Sequence, residues 1–446
     1  MSFSLCTPIV TGRHPYTAFK RGSLLAVALA SAVGSFSAHA QDSALSLNQA
    51  LQLAVAHSRQ LPAQDMAVNA AREMAVAAAQ LPDPVLKIGV DNLPLNGPDR
   101  GSLTSDFMTM RRVGIMQELT RSEKRRLRAE IYDRNADRSL AEKSVLLAAL
   151  QRDTAIAWLD RLYAERMVAI VAEQAAQARL EAEAAEGSYR AGRGTQADIF
   201  AARSALAMVD DRMSEAQRKL ANAKILLRRW TGSSDDKRLA EEPRIDQIPL
   251  ATTVLESALP HHPQIAALTR QIDIAQADAR LAEANKKTDW SVEVAYQQRG
   301  PAYSNMVSIG FSLPFQWDQA HRQDRELSAK LALLEQAKAE RDEALRAHNA
   351  ETQAVAEEWQ SDLQRLTRYQ SELIPLAGER TQASLGAYRG GKANLSEVLA
   401  ARRNEIDTRL QALQLRADTA RLWAQLNFMI PSDTQSAVNV NSQHKD

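Results

Sequence analysis

Apolar and polar residues alternate with the period of a strand in a few short stretches of the chain, and apolar residues recur with the period of a helix over much longer ones. Leu86, Ile88 and Val90 alternate with Lys87, Gly89 and Asp91, and the stretch from Phe107 to Gln117 partners them less regularly. Trp290, Val292, Val294 and Tyr296 alternate with Ser291, Glu293, Ala295 and Gln297; Val307, Ile309, Phe311 and Leu313 alternate with Ser308, Gly310 and Ser312. Successive side chains of a strand point to opposite faces, so each stretch has one apolar and one polar face. The pattern predicts two hairpins, at about 85–117 and about 289–313. Their strands are about ten residues long, the length that crosses a bilayer when tilted.

Around the hairpins the period is helical. Ile199, Ala202, Leu206, Val209, Met213, Ala216, Leu220, Ala223, Leu227 and Trp230 are spaced three and four apart, a heptad seam. Ile406, Leu410, Leu413, Ala417, Ala420 and Ala424 form its counterpart. So many seam positions are Ala that the helices must pack closely, as a coiled coil. Long helical runs are expected from about Glu118 to Glu186 and from about Asp318 to Gly386, rods of roughly 100 Å at 1.5 Å per residue. Pro375 is expected to kink or break the second rod. Ser46 to Gln80 reads as a helix capped by Ser46 and interrupted by Pro62, as Pro263 interrupts Thr252 to Ala284.

One sentence of the sequence occurs twice. Ser188 to Arg203 read SYRAGRGTQADIFAAR, and Ala387 to Arg402 read AYRGGKANLSEVLAAR. Aligning Gln60-Leu61 with Gln264-Ile265 also sets Leu86, Ile88 and Val90 over Trp290, Val292 and Val294. The chain therefore divides into a first repeat, 41–230, a polar linker, 231–250, a second repeat, 251–430, and a polar tail, 431–446, expected to be disordered. Glycine supplies the positive φ that lets the chain reverse between helices, so each copy is a helix-turn-helix tip, at 188–198 and 387–397. Thr195 with Asp198, and Asn394 with Glu397, have capping-box spacing; capping and a functional role are both open for the two acids.

Composition narrows the setting. Arg13, Lys20 and Arg21, the apolar run Leu24 to Val33, and Ala38-His39-Ala40 read as a secretory signal over 1–40. No later stretch has the roughly 18 uncharged residues of a transmembrane helix, so entry into a membrane would be by strands. Four strands cannot close a barrel, since membrane barrels need about eight; the strands either pair with further copies or stay out of lipid, and three copies would give twelve. The single cysteine, Cys6, precedes the cleavage point, so a mature chain has no disulfide, thiolate metal site or lipid-anchoring cysteine. A net charge of +1 with no basic block gives no support for nucleic-acid binding.

Catalytic chemistry finds little purchase. There is no P-loop, dinucleotide fingerprint, H-E-x-x-H or G-x-S-x-G. His261-His262-Pro263 reads as a structural helix entry more than a metal pair, and Met108, Met110 and Met116 as lipid-facing or packing residues. The expectation is a protein that is not an enzyme and has no metal site or cofactor.

The repeated arrangement and the Y-x-x-G-x(5)-[DE]-[IV] tips at Tyr189 and Tyr388 resemble the TolC family of bacterial outer-membrane factors, over roughly Ser46 to Ile430. The resemblance implies a mainly α fold with a small β part: a homotrimer with a 12-stranded outer-membrane β-barrel and a long α-helical barrel across the periplasm. It implies an exit duct that works with a periplasmic adaptor protein and an inner-membrane RND-type pump. Gln117-Glu118-Leu119 leading into Lys124 to Arg128 resembles the heavy-metal, cobalt–zinc–cadmium type branch, although Thr120 to Glu123 lack that branch's Pro-Gly step. Carried onto this chain, adaptor docking falls on Tyr189, Gly192, Arg193, Thr195, Asp198, Tyr388, Gly391, Lys392 and Asn394, and a pore-constriction acid on Glu397. A second acid three residues on is replaced by Ala400. The same duct could serve drug, solvent or polypeptide export, and a soluble periplasmic coiled-coil scaffold is the alternative of another class.

Overall fold

The computed structural model describes residues 44–234, 236–248 and 262–430. The expected signal segment 1–40 with Cys6, part of the linker 231–250, His261 and the tail 431–446 lie outside them. The described chain is mainly helical, with one four-stranded sheet. Its elements run α1 (Leu47–His57), α2 (Gln60–Ala78), β1 (Val85–Asp91), β2 (Met110–Leu119), α3 (Ser122–Arg190) and α4 (Gln196–Thr231). There follow α5 (Pro263–Ala284), β3 (Trp290–Gln298), β4 (Met306–Ser312), α6 (Gln323–Arg368), α7 (Ile374–Arg389) and α8 (Leu395–Asn427). From α2 onward the same order, helix, two strands, long helix, turn, helix, is met twice.

Local chemistry sets the boundaries. Ser46 opens α1 in a reciprocal cap with Gln49, at 3.2 and 3.0 Å. The helix expected over 46–80 is two helices, because Pro62 has no N–H for the Ser58 carbonyl and the chain breaks at Ser58 and Arg59. The first long helix starts at Ser122 and not at Glu118, since β2 continues to Leu119, which pairs with Trp290. The second starts at Gln323 and not at Asp318. It carries a π-helical turn at Tyr369–Leu373, immediately before Pro375. That proline cannot bond to the Ser371 carbonyl, and the ladder changes register there before resuming as α7.

Every residue of the α4 seam from Ile199 to Trp230 is buried or half-buried. Val171, Ala175 and Ala178 of α3 meet Val209 of α4, small residues letting the backbones approach. The main core gathers Trp158 and Leu159 of α3, Trp359 of α6 and Trp423 of α8 around α1 and the linker. Each of these three tryptophans donates its indole N–H to the backbone of an extended segment: Trp158 to Leu45 at 3.0 Å, Trp359 to Ile245 at 3.0 Å and Trp423 to Gln247 at 2.8 Å. The linker is thus strapped across the helices, and Leu45 pairs with it through Leu239.

The sheet is antiparallel throughout, in the order β1-β2-β3-β4. Its strands are 7, 10, 9 and 7 residues long, mostly shorter than the ten expected.

Candidate functional site

The register of the sheet sorts its side chains into two unlike faces. Leu86, Ile115, Val294 and Ile309 form one cross-strand row, and Ile88, Val113, Tyr296 and Val307 the next. Ile88 is 74 % exposed, Phe311 72 % and Val307 67 %. A contiguous apolar surface of this kind calls for a covering other than water. On the opposite face the Glu293 carboxylate is paired with Lys87 at 2.8 Å and with Arg112, which also lies 3.8 Å from Asp91. Gly114 sits in this face against Ala295, whose Cβ would be 2.8 Å from any Cβ at position 114. Met110 and Met116 have the parity of Arg112, so they lie on the same face of the sheet as the Glu293 ion pairs. The outer edges of β1 and β4 have no strand partner among the described residues, and an open edge is a template for pairing.

The two tips lie side by side at the far end of the helices. In the first, Gly192 has φ +69°, the Arg193 N–H bonds the Ser188 carbonyl at 2.9 Å and the Gly192 N–H bonds Tyr189 at 2.9 Å. The second repeats this with Gly391 at φ +69°, Lys392 to Ala387 at 2.8 Å and Gly391 to Tyr388 at 3.0 Å. Both are Schellman closures with glycine at the left-handed position. Thr195 and Asp198 cap each other reciprocally. Asn394 accepts the Glu397 N–H at 3.0 Å, but the Glu397 carboxylate does not return the bond. The expected second capping box is therefore half a box, and the exposed Glu397 carboxylate has no hydrogen-bond or ionic partner among the described residues.

The repeats differ at their tyrosines. Tyr189 is 48 % exposed. Tyr388 packs on a cluster of Ala185, Ala202, Leu395 and Leu399 that joins the two tips. Arg193, Thr195, Lys392 and Asn394 are exposed. Above them, residues that the sequence did not single out tie α3 and α4 to α8: Glu181 to Arg402 at 2.7 Å and Arg212 to Asp407 at 2.6 Å. Burial pushes the Glu181 carboxyl up against the pull of Arg402. Nothing in the spacing of these four residues along the chain reveals their pairing, which depends on how the two tips dock.

His262 is a helix cap: its Nδ1 accepts the Gln264 N–H at 3.3 Å, and its ring lies 4.0 Å from that of His348. Among the described residues no group of three or more His, Cys, Asp or Glu side chains converges on a point. A second unforeseen cluster anchors the linker. Glu242 is bonded to Tyr163, to Arg166 at 2.6 Å and to Arg416 at 2.9 Å. Burial raises the Glu242 carboxyl, but these three donors outweigh it and hold the group below its ordinary range.

No protein-family model matches the sequence, and no curated protein matches it. Solved structures do. The outer-membrane channel OprN is 17% identical, with a TM-score of 0.73 over 86% of this chain and 89% of its own. CusC, described in terms of folding and transmembrane channel formation, gives 17% and 0.73 over 86% and 91%. The outer membrane protein VceC of Vibrio cholerae gives 18% and 0.69 over 86% and 95%. At these identities the likeness shows the fold: a mostly helical chain with a small four-stranded sheet, that of TolC-like channels.

Proposed function

We propose that the chain is the outer-membrane channel subunit of a tripartite efflux system. The observation that carries this reading is the sheet: four antiparallel strands with two open edges, one exposed apolar face and one polar, charge-paired face. Three copies joined edge to edge make a closed barrel of twelve strands, apolar toward lipid and polar toward a lumen. Closure removes the edges that lipid cannot solvate. The fold likeness to outer-membrane channels supports the same reading.

In this arrangement the long helices stand in the periplasm and their tips meet a periplasmic adaptor coupled to an RND-type pump. Exposed Arg193, Thr195, Lys392 and Asn394, with Tyr189, Gly192, Asp198, Tyr388 and Gly391, form the docking surface. Glu397, whose carboxylate is free, lines the constriction, where three like charges around an axis repel and favour opening. The cargo is a heavy-metal cation, on the strength of Gln117-Glu118-Leu119 and the basic run from Lys124 to Arg128. Growth of a deletion strain on zinc, cobalt, cadmium, nickel, copper and silver salts, and on dyes and antibiotics, tests the cargo. Hypersensitivity confined to metals supports it; sensitivity to dyes and antibiotics alone transfers the duct to drug export.

A further inference from the structure

The sheet is too short for the band it is asked to cover. Along β3 the apolar row runs from Trp290 to Tyr296, six residue steps or about 20 Å. Tilted by about 40°, it spans about 15 Å of the roughly 25 Å apolar band of a membrane barrel.

At the helical end of the sheet, the chain leaving β4 continues the row. Phe311, Leu313, Phe315 and Trp317 follow one another at alternate positions and are 72, 62, 75 and 87 % exposed. Gln316 between them is half-buried, and its amide donates to the Asn285 carbonyl at 3.2 Å, fastening the segment just past the end of α5. Phe315 and Trp317 meet edge to face at 5.4 Å. The first half of the chain has no counterpart: two residues separate β2 from α3, whereas ten separate β4 from α6. Beyond Trp317, Asp318 is held by His321 at 2.6 Å and Asp324 by Lys286 at 3.1 Å. Arg322 and Arg325 are exposed without side-chain partners among the described residues, against one such acid, Glu326.

We propose that Leu313 to Trp317 is a membrane-interface foot that rests on the phospholipid boundary of the leaflet nearest the helices. Phe315 and Trp317 lie at the junction of acyl chains and headgroups, where an indole can bury its ring and keep its N–H wet. Arg322 and Arg325 face the lipid phosphates. The foot supplies part of the apolar height that the sheet lacks, and it fixes the depth at which the helices leave the bilayer. It rests on the barrel reading above.

Tryptophan fluorescence of the full-length protein in phospholipid nanodiscs tests it, with bromine on the acyl chains either near the headgroup or near the chain end. Trp158, Trp359 and Trp423 are buried, so Trp290 and Trp317, 42 and 87 % exposed, are the rings that lipid can reach most readily. Near-headgroup bromine is expected to quench the wild type, and Trp317→Phe to lower that quenching by about twofold, whereas Trp290→Phe keeps the share that belongs to Trp317. Quenching that Trp317→Phe leaves unchanged, while aqueous acrylamide quenches Trp317, places the ring in water and overturns the foot alone. A Trp317 shielded from both quenchers is covered by protein, which also overturns it. Bromine that quenches no tryptophan at all overturns the barrel reading itself.

Discussion

The Asp198 carboxylate accepts hydrogen bonds from the backbone N–H and the hydroxyl of Thr195, at 2.9 and 2.7 Å, and the Asp198 N–H returns one to that hydroxyl at 3.2 Å. The Thr195 hydroxyl and then its backbone N–H hold the Asp198 carboxyl below its usual range. Its counterpart in the second repeat is arranged otherwise: Glu397 gives its N–H to Asn394 and leaves its carboxylate free. One acid closes a helix end, and the other is available for something else.

This asymmetry predicts opposite outcomes for the two acids. Thr195→Ala removes a cap and should cost about 1 kcal/mol at the start of α4, read as faster amide exchange in its first turn. Glu397→Ala should leave the melting temperature unchanged and shift single-channel conductance or cation preference in a planar bilayer. An unaltered channel would make Glu397 a surface acid with no part in permeation.

The glycines of the tips predict a loss of docking without a loss of assembly. Gly192 and Gly391 have open space where a Cβ would go, so only the left-handed backbone resists substitution. Valine there should cost about 1–2 kcal/mol or more and reshape the turn. Cross-linking to the adaptor should fail while the oligomer survives; normal cross-linking and export in both variants would contradict the docking role of the tips.

Acid should loosen the region around His262. Burial, and next the neighbouring His348, lower the His262 pKa to about 4, whereas an unfolded histidine titrates near 6.5. The unfolded chain therefore binds the extra proton first as pH falls, so this stability is complete above about 6.5 and is lost between there and about 4. His348 is lowered by burial too, and Arg152 and Glu351 line the same cavity of about 290 Å³. His262→Asn keeps a capping acceptor without the titration. It should flatten the fall of melting temperature over that pH window, and an identical acid slope in wild type and variant would assign the loss to other groups.

Much of the fold is legible in sequence because periodicity reports faces directly. The alternation of Val292 and Val294 with Ser291 and Glu293 defines a two-faced strand before any neighbour is known. The positive φ of Gly192 and Gly391 follows from turn chemistry alone. What could not be read depends on docking between distant segments. The pairing of Glu181 with Arg402 spans the two repeats, and the Glu242 cluster rests on a linker that looks merely polar. The strand parity of Met116 likewise emerged only with the register of the sheet, and the start of α6 at Gln323 only with the path of the chain after β4. Phe315 and Trp317 lie between the expected end of the hairpin, at about 313, and the expected start of the helix, at about Asp318.

The account stands on three copies closing one barrel, and the mass of the particle extracted from the outer membrane in mild detergent tests this most directly. Native mass spectrometry should give three chains per particle, with the protein absent from the released periplasmic contents. A single chain recovered in the soluble periplasmic fraction would contradict the channel and leave a periplasmic scaffold in its place.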